Sequence, residues 1–189
     1  AGVAHELNNP LSVVMGQAAL LRQSVRNKRQ MERAEKIVQS AERCARIVNN
    51  FLALARQRSP ERYPVLVNEV AQEAVELLAY PLRVDSVDVV WELAEEVPVL
   101  WADRHQLHQV MVNLVANAHQ AMREVAGLRR LTVVTGVSAA PGRVWMEVRD
   151  TGPGVAEGLE TRIFEPFFTT KPPGVGTGLG LSLCQGIME

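Results

Sequence analysis

A histidine followed by a carboxylate stands near the start of the sequence, in the segment HELNNPL at residues 5–11. A neutral imidazole is a competent nucleophile because the unperturbed pKa of histidine lies close to neutrality. The carboxylate of Glu6 could accept the other ring N–H of His5, which would fix the tautomer and raise the basicity of the attacking nitrogen. Asn9 lies four residues after His5, on the same face of a helix. A His-Glu pair alone is more often a solvated surface pair, and a zinc-protease motif is excluded because Asn9 replaces its second histidine.

Two asparagines, Asn113 and Asn117, are also four residues apart, within a predicted helix whose surrounding positions are apolar. Both side chains therefore project from one helix face. Amide oxygens suit Mg²⁺, which keeps several waters and bridges phosphates. Two capping or surface asparagines would show the same pattern, so the pair alone does not distinguish a Mg²⁺ site from structural asparagines.

Glycines accompany two further candidate segments. Asp150 follows a predicted strand and precedes Gly152 and Gly154. A carboxylate at a strand end can accept a hydrogen bond from the exocyclic amine of adenine, and glycines let the backbone approach the ring. A simple Asp-x-Gly turn is the alternative. The run GVGTGLGL at residues 174–181 opens a predicted helix, where free backbone N–H groups and the helix N-terminus favour anionic oxygens. Its spacing fits neither a dinucleotide-binding loop nor a P-loop.

Three of the four phenylalanines of the chain lie in IFEPFFTTK at residues 163–171. The segment has no clear periodicity, which favours a loop held by apolar anchors such as Phe164. Thr170 and Lys171 end it, and the ammonium group of Lys171 could reach a phosphate or remain solvated.

Hydrophobic spacing predicts the elements that position these residues. Apolar residues three and four apart predict one helix up to about Arg26 and another from Met31 to Ala55, joined by a polar turn at Asn27–Gln30. Such a pair forms an antiparallel hairpin. One hairpin cannot cover both apolar stripes, so we expect a second copy and a four-helix bundle with two-fold symmetry.

The charged segment 56–62 contains a proline and predicts a linker, which separates domains at residues 1–58 and 63–189. The second region predicts a mixed α/β domain. Its expected helices are 68–78, with Asn68 as N-cap, and 103–125, and another helix begins near Gly180. Its expected strands are 87–93, 97–101, 131–138 and 143–149, the last two joined by a hairpin turn at 140–142.

Composition sets the broad class. The 189 residues are 47% hydrophobic and 22% charged, as in globular proteins, and the net charge of −1 gives no reason to expect a nucleic-acid surface. Cys44 and Cys184 lack metal-ligand spacing and are expected to be buried thiols in a reducing compartment. No apolar run approaches the roughly 20 residues of a membrane helix. The chain begins without a methionine and stops inside an apparent helix, so we expect a piece of a longer protein.

Taken in order, the motifs resemble those of two-component sensor histidine kinases. HELNNPL resembles the H-box, the segment around Asn113 and Asn117 the N-box, DTGPG from Asp150 the G1 box, residues 163–171 the F-box and residues 174–181 the G2 box. Each motif occurs once, and together they cover nearly the whole chain. The structural explanations given above for single motifs therefore do not account for all five motifs together.

The resemblance implies a fold and a reaction. The fold would be a helical hairpin, dimerising into a four-helix bundle, followed by an α/β two-layer sandwich of the GHKL (Bergerat) ATPase type. The reaction would move the γ-phosphoryl group of ATP to His5, and then to an aspartate of a response regulator receiver domain. Glu6 would activate the imidazole, and Asn9 would serve dephosphorylation of the regulator. The expected location is the cytoplasm, whether or not the longer protein is anchored in a membrane.

The nucleotide-binding residues are likewise implied by the resemblance. Asn113 and Asn117 would contact Mg²⁺. The expected contacts to ATP are Asn113, Asn117, Asp150, Gly152, Gly154, Phe164, Thr170, Lys171, Gly174, Gly176, Thr177, Gly178, Leu179 and Gly180.

Two other classes resemble parts of this pattern. ATPases of the gyrase and mismatch-repair type carry a glutamate base where Asn113 stands. A non-enzymatic dimerisation module would not need intact nucleotide motifs.

Overall fold

The computed structural model describes residues 2–24, 27–55, 61–123, 125–140, 142–171 and 176–189. The chain divides into two compact units, residues 1–57 with 161–183 and residues 58–160 with 184–189. Most of the expected linker, residues 56–60, lies outside the described residues. The domain bounds at 1–58 and 63–189 therefore stay a prediction.

The first unit contains the hairpin, made of α1 (Gly2–Ser24) and α2 (Lys28–Ala55), which pack against each other. Helix α2 begins three residues earlier than expected because Asn27 caps it. The Asn27 side-chain oxygen accepts a hydrogen bond from the backbone N–H of Arg29 at 2.9 Å. The same unit contains a 3₁₀ turn at Arg162–Phe164.

The second unit contains most of the α/β elements. They are β1 (Tyr63–Val65), α3 (Val67–Leu77), α4 (Ala79–Val84), β2 (Asp88–Glu92), β3 (Leu100–Ala102), α5 (Arg104–Met122), β4 (Arg130–Val137) and β5 (Val144–Asp150). A further helix, α6 (Gly180–Met188), contributes its C-terminal half to this unit.

Strand β4 is the centre of a three-stranded sheet, in which β2 runs parallel to it and β5 antiparallel. Strands β1 and β3 form a separate antiparallel pair. Helices α3 and α5 pack on each other and on the larger sheet, where Met111 and Val115 of α5 are buried with Leu131 and Val133 of β4. This arrangement is the expected two-layer α/β sandwich.

Asn68 does not cap α3, contrary to expectation. The helix begins one residue earlier, and Leu66 precedes it without a side-chain cap. Instead, the Asn68 amide donates to the carbonyl of Ala94 at 3.0 Å and accepts from Thr135 Oγ1 at 2.7 Å. The same hydroxyl oxygen accepts from the backbone N–H of Ala94 at 3.1 Å. A buried polar group is therefore satisfied by a tertiary contact that local sequence does not reveal.

Replacing Asn68 with alanine should lower the free energy of unfolding by about 1–3 kcal/mol, because the hydroxyl of the buried Thr135 and the carbonyl of Ala94 lose their partner. Urea unfolding measures the change. Gln72→Ala on the exposed face of the same helix is the control, with an expected change within about 0.5 kcal/mol. Equal unfolding midpoints for the two variants would contradict the role of this network.

Several other expectations need correction. The sequence pattern missed β1 and α4 and placed β3 too early, because these elements are only three to six residues long. Cys184 is buried as expected, whereas Cys44 is exposed in the single chain. Pro141 of the expected hairpin turn lies outside the described residues. None of the helices in the described part of the chain has the length and apolar character that crossing a bilayer requires.

Candidate active site

The histidine segment lies in the first turns of α1, and the helix continues through Pro10 to Ser24. The side chains of His5 and Glu6 lie outside the described part of the molecule. Asn9 is exposed, one turn after His5. The backbone therefore places His5 and Asn9 on neighbouring turns of one helix, as the spacing predicts.

Helix α5 carries the two asparagines. Asp103 caps its N-terminus by accepting hydrogen bonds from the N–H groups of His105 and Gln106 at 3.0 and 3.1 Å. Asn113 and Asn117 are half-buried, one turn apart on the same helix. The helix thus presents two amides on one face while its opposite face is fixed in the core.

Cys184 of α6 is a neighbour of Asn113 that no sequence pattern predicts. The two side chains are hydrogen-bonded, and the thiol lies 3.9 Å from the carbonyl oxygen of Val110. Burial raises the pKa of the Cys184 thiol, so the group stays neutral at physiological pH. A neutral thiol can hold the amide of Asn113 without adding charge beside it.

Asp150 is the last residue of β5, and its carboxylate is exposed. Its Oδ1 accepts a hydrogen bond from the N–H of Gly152 at 2.8 Å. Any Cβ at Gly152 would lie 2.9 Å from the Cβ of Ala121 in α5 and 2.6 Å from Asp150 Oδ1, so only glycine fits there. Ala121 is one turn beyond Asn117. The second unit therefore brings Asp150 and Gly152 to the helix that carries the asparagines.

Gly154 serves the same segment through its backbone conformation. Its φ of +75° lies in the left-handed region, where glycine is favoured, and no atom crowds it. The two glycines after Asp150 are thus required for different reasons, one steric and one conformational.

In the first unit, the phenylalanine-rich segment contacts the glycine-rich run. The N–H of Phe167 donates to the carbonyl of Gly178 at 2.8 Å. A Cβ at Gly178 would lie 2.6 Å from the Phe167 carbonyl oxygen, and both residues have positive φ, +66° and +67°. The chain can make this backbone contact only because Gly178 has no side chain.

The remaining predicted residues lie beside this contact. Phe164 in the 3₁₀ turn and Thr170 are exposed, and Lys171 is half-buried. The N–H of Lys171 donates to Thr169 Oγ1 at 3.2 Å, and a Cβ at Gly176 would overlap that same oxygen.

At the start of α6, Thr177 Oγ1 accepts from the N–H of Leu179 at 3.4 Å. The Leu179 side chain is fully buried, and Gly180 is the first residue of the helix. Gly174 lies outside the described residues. Two motifs that the sequence separates are thereby joined within one unit.

Comparison with known proteins finds two family models in this chain. Residues 1–60 match the His Kinase A (phospho-acceptor) domain, and residues 102–189 match the histidine kinase-, DNA gyrase B- and HSP90-like ATPase. The first match includes His5, and the second includes every predicted nucleotide-binding residue.

Individual proteins are similar over the whole chain. The signal transduction histidine-protein kinase AtoS of Escherichia coli K12 is 32% identical over 189 residues, which are 100% of this chain and 30% of AtoS. Full-length ShkA, solved in complex with AMPPNP, is 29% identical with a TM-score of 0.75, covering 99% of this chain and 39% of ShkA. Histidine kinase ThkA, solved in complex with the response regulator protein TrrA, is 28% identical with a TM-score of 0.71, covering 100% of this chain and 53% of ThkA.

Proposed function

Because this chain belongs to the two-component sensor histidine kinases, we propose that it transfers the γ-phosphoryl group of ATP to His5 and then to an aspartate of a response regulator receiver domain. The observation that carries the proposal is the presence of both a phospho-acceptor domain and an ATPase domain in one chain. The chain spans less than a third of the length of AtoS and of a second curated relative that it matches. The test is transfer of label from γ-labelled ATP to the protein and its dependence on His5.

The proposed chemistry on α1 is nucleophilic attack by the His5 imidazole. Glu6 holds the N–H of the ring nitrogen that does not react, which keeps the attacking nitrogen unprotonated. Little covalent work is left to the protein in phosphoryl transfer, so positioning and charge neutralisation dominate.

Three kinds of contact to the nucleotide are proposed. The Asp150 carboxylate accepts from the exocyclic amine of adenine. Backbone N–H groups of the glycine-rich run, at the N-terminus of α6, face the phosphates, as Lys171 does with its charge. Phe164 and Thr170, on the phenylalanine-rich segment, are further proposed contacts to ATP.

Asn113 and Asn117 are the proposed ligands of Mg²⁺. They offer two neutral amide oxygens one turn apart, which fits an ion that takes few protein ligands and keeps its waters and phosphates. When bound, Mg²⁺ neutralises charge on the phosphate oxygens. Asn113 cannot act as a general base towards water, which disfavours ATP hydrolysis as the main reaction. Because ATP is the donor, we place the reaction in the cytoplasm.

We further propose that the hairpin is the homodimer interface. Val13 and Leu20 of α1 are 63% and 60% exposed in the single chain, and Ile37 of α2 is 44% exposed. They line one groove together with Val14 and Leu21. A second hairpin would cover this apolar surface and form a four-helix bundle.

Asp150→Asn should weaken ATP binding by about 1–3 kcal/mol, since a charge-assisted hydrogen bond to adenine becomes a neutral one. Titration calorimetry with ATP measures the loss. Glu157→Gln is the control, an exposed carboxylate in the segment that follows, and should leave the affinity unchanged. Unchanged ATP affinity in Asp150→Asn would remove this residue from the adenine site.

Asn9→Ala should retain most autophosphorylation and transfer but lose the ability to dephosphorylate the regulator. Asn9 is exposed about 6 Å along the helix axis from His5, too far to orient the imidazole but suited to hold a water for attack on a phospho-aspartate. The measurement is the decay of labelled regulator with and without the kinase chain, in the presence of nucleotide. Gln39→Ala, exposed on α2 and outside the apolar groove, is the control, and with it the labelled regulator should decay as fast as with the unmodified chain. Equal acceleration by Asn9→Ala would show that Asn9 is structural only.

A further inference from the structure

Thr151, the residue that follows β5, is hydrogen-bonded to the loop that precedes β4. Its hydroxyl donates to the carbonyl of Leu128 at 2.8 Å and accepts from the N–H of Arg130 at 3.0 Å. The last backbone pair of the β4–β5 ladder is Leu131 with Asp150. The hydroxyl therefore continues the ladder by one step, with a side chain in place of backbone.

The loop that Thr151 binds is itself fixed by Arg129. The guanidinium of Arg129 donates to the carbonyl of Asp85 at 2.9 Å and to that of Val125 at 3.4 Å. The Asp85 carboxylate lies 2.7 Å from Nε2 of His119 and 3.2 Å from Nε of Arg123, at the C-terminal end of α5. Thr151 is thus bonded to a loop that is tied to α5, and not to a free segment.

Thr151 also lies between Asp150 and Gly152, which are in contact with each other. Asp150 Oδ1 is held by the N–H of Gly152, and Gly152 is confined by Ala121. Because the Asp150 carboxylate is exposed, core packing does not set its direction. The N–H of Gly152 holds the carboxylate, and the two hydrogen bonds of the Thr151 hydroxyl hold the residue between Asp150 and Gly152.

We propose that Thr151 is a positioning residue for purine selectivity, aiming the Asp150 carboxylate at the exocyclic amine at position 6 of adenine. The inference rests on the proposed function, in which Asp150 binds that amine. A purine with a carbonyl oxygen at position 6 would place two acceptors against each other, so discrimination depends on where the carboxylate points. Without the hydroxyl, the carboxylate would lose its fixed direction and the site would distinguish the two bases less well.

The test compares binding of ADP and inosine diphosphate, whose base carries a carbonyl in place of the amine, by calorimetry on the whole chain. Thr151→Val should reduce the preference for ADP about tenfold, the equivalent of roughly one hydrogen bond. Thr151→Ser keeps the hydroxyl and should restore the preference. If Thr151→Val does not fold, Thr151→Ala removes the same hydroxyl without adding a methyl group to accommodate.

Thr135→Val is the matched control, because the Thr135 hydroxyl also accepts one backbone N–H and donates to one oxygen, at Ala94 and Asn68. It should lower the melting temperature at least as much as Thr151→Val and leave the ADP preference intact. A retained preference in Thr151→Val, or a loss in Thr151→Ser equal to that in Thr151→Val, would overturn the inference.

Asp150→Asn separates this inference from the proposed function. A preference unchanged in Asp150→Asn refutes the adenine contact itself. A preference lost in Asp150→Asn but kept in Thr151→Val refutes only the role of Thr151.

Discussion

Replacing His5 with glutamine is expected to abolish labelling of the chain by γ-labelled ATP while leaving ATP affinity unchanged. Glutamine has a similar size and helix propensity, so α1 should persist, but its amide nitrogen is not a nucleophile. The nucleotide residues Asn113, Asn117 and Asp150 belong to other elements of the chain. Labelling falls to background if His5 is the acceptor, and calorimetry with ATP shows that the nucleotide site is intact.

His105→Gln is the matched control for this experiment. His105 is exposed on the first turn of α5 and contributes only its backbone N–H to the Asp103 cap, which glutamine retains. Its labelling should equal that of the unmodified chain. Label retained in His5→Gln would mean that another residue accepts the phosphoryl group.

Gly178→Ala is expected to have the second largest effect, a loss of ATP affinity of at least about tenfold together with a lower melting temperature. Alanine at φ +66° is strained, and its Cβ would enter the space of the Phe167 backbone. Strain of this kind costs about 1–3 kcal/mol before any clash is counted. The contact between Phe167 and Gly178 must open, and the backbone of the glycine-rich run would then no longer be placed for phosphates.

Two glycines separate the causes. Gly158 has a similar φ of +81° with no atom near its Cβ position, so Gly158→Ala measures the conformational cost alone. Gly186 lies in α6 with open space around it, and Gly186→Ala should be neutral or slightly stabilising. A Gly178→Ala variant no worse than Gly158→Ala in both measurements would show that the contact with Phe167 is unimportant.

The family and the fold class could be predicted because they depend on patterns within short segments of the sequence. The three- and four-residue spacing predicted α1 and α2. The predicted helix 103–125 corresponds to α5, which the structure shows to be capped by Asp103. The order of five motifs pointed to a histidine kinase, and the family matches confirm it. Each motif alone had a simpler explanation, so the inference depended on their joint order.

The features that could not be predicted from the sequence depend on contacts between residues distant in sequence. Asn68 has the residue type of a cap, but its amide is used by Ala94 and Thr135 from other elements. The partnership of Cys184 with Asn113 and that of Thr151 with Leu128 likewise exist only after folding. The sequence around each of these residues does not identify such partners.

The proposed function requires that the chain form phosphohistidine, which the chemical stability of the label reveals. After incubation with γ-labelled ATP and Mg²⁺, the labelled chain is divided and exposed to acid and to alkali. Phosphohistidine should give label on the protein that alkali leaves in place and acid removes. Label that acid leaves in place, or release of inorganic phosphate with none retained on the protein, would contradict it.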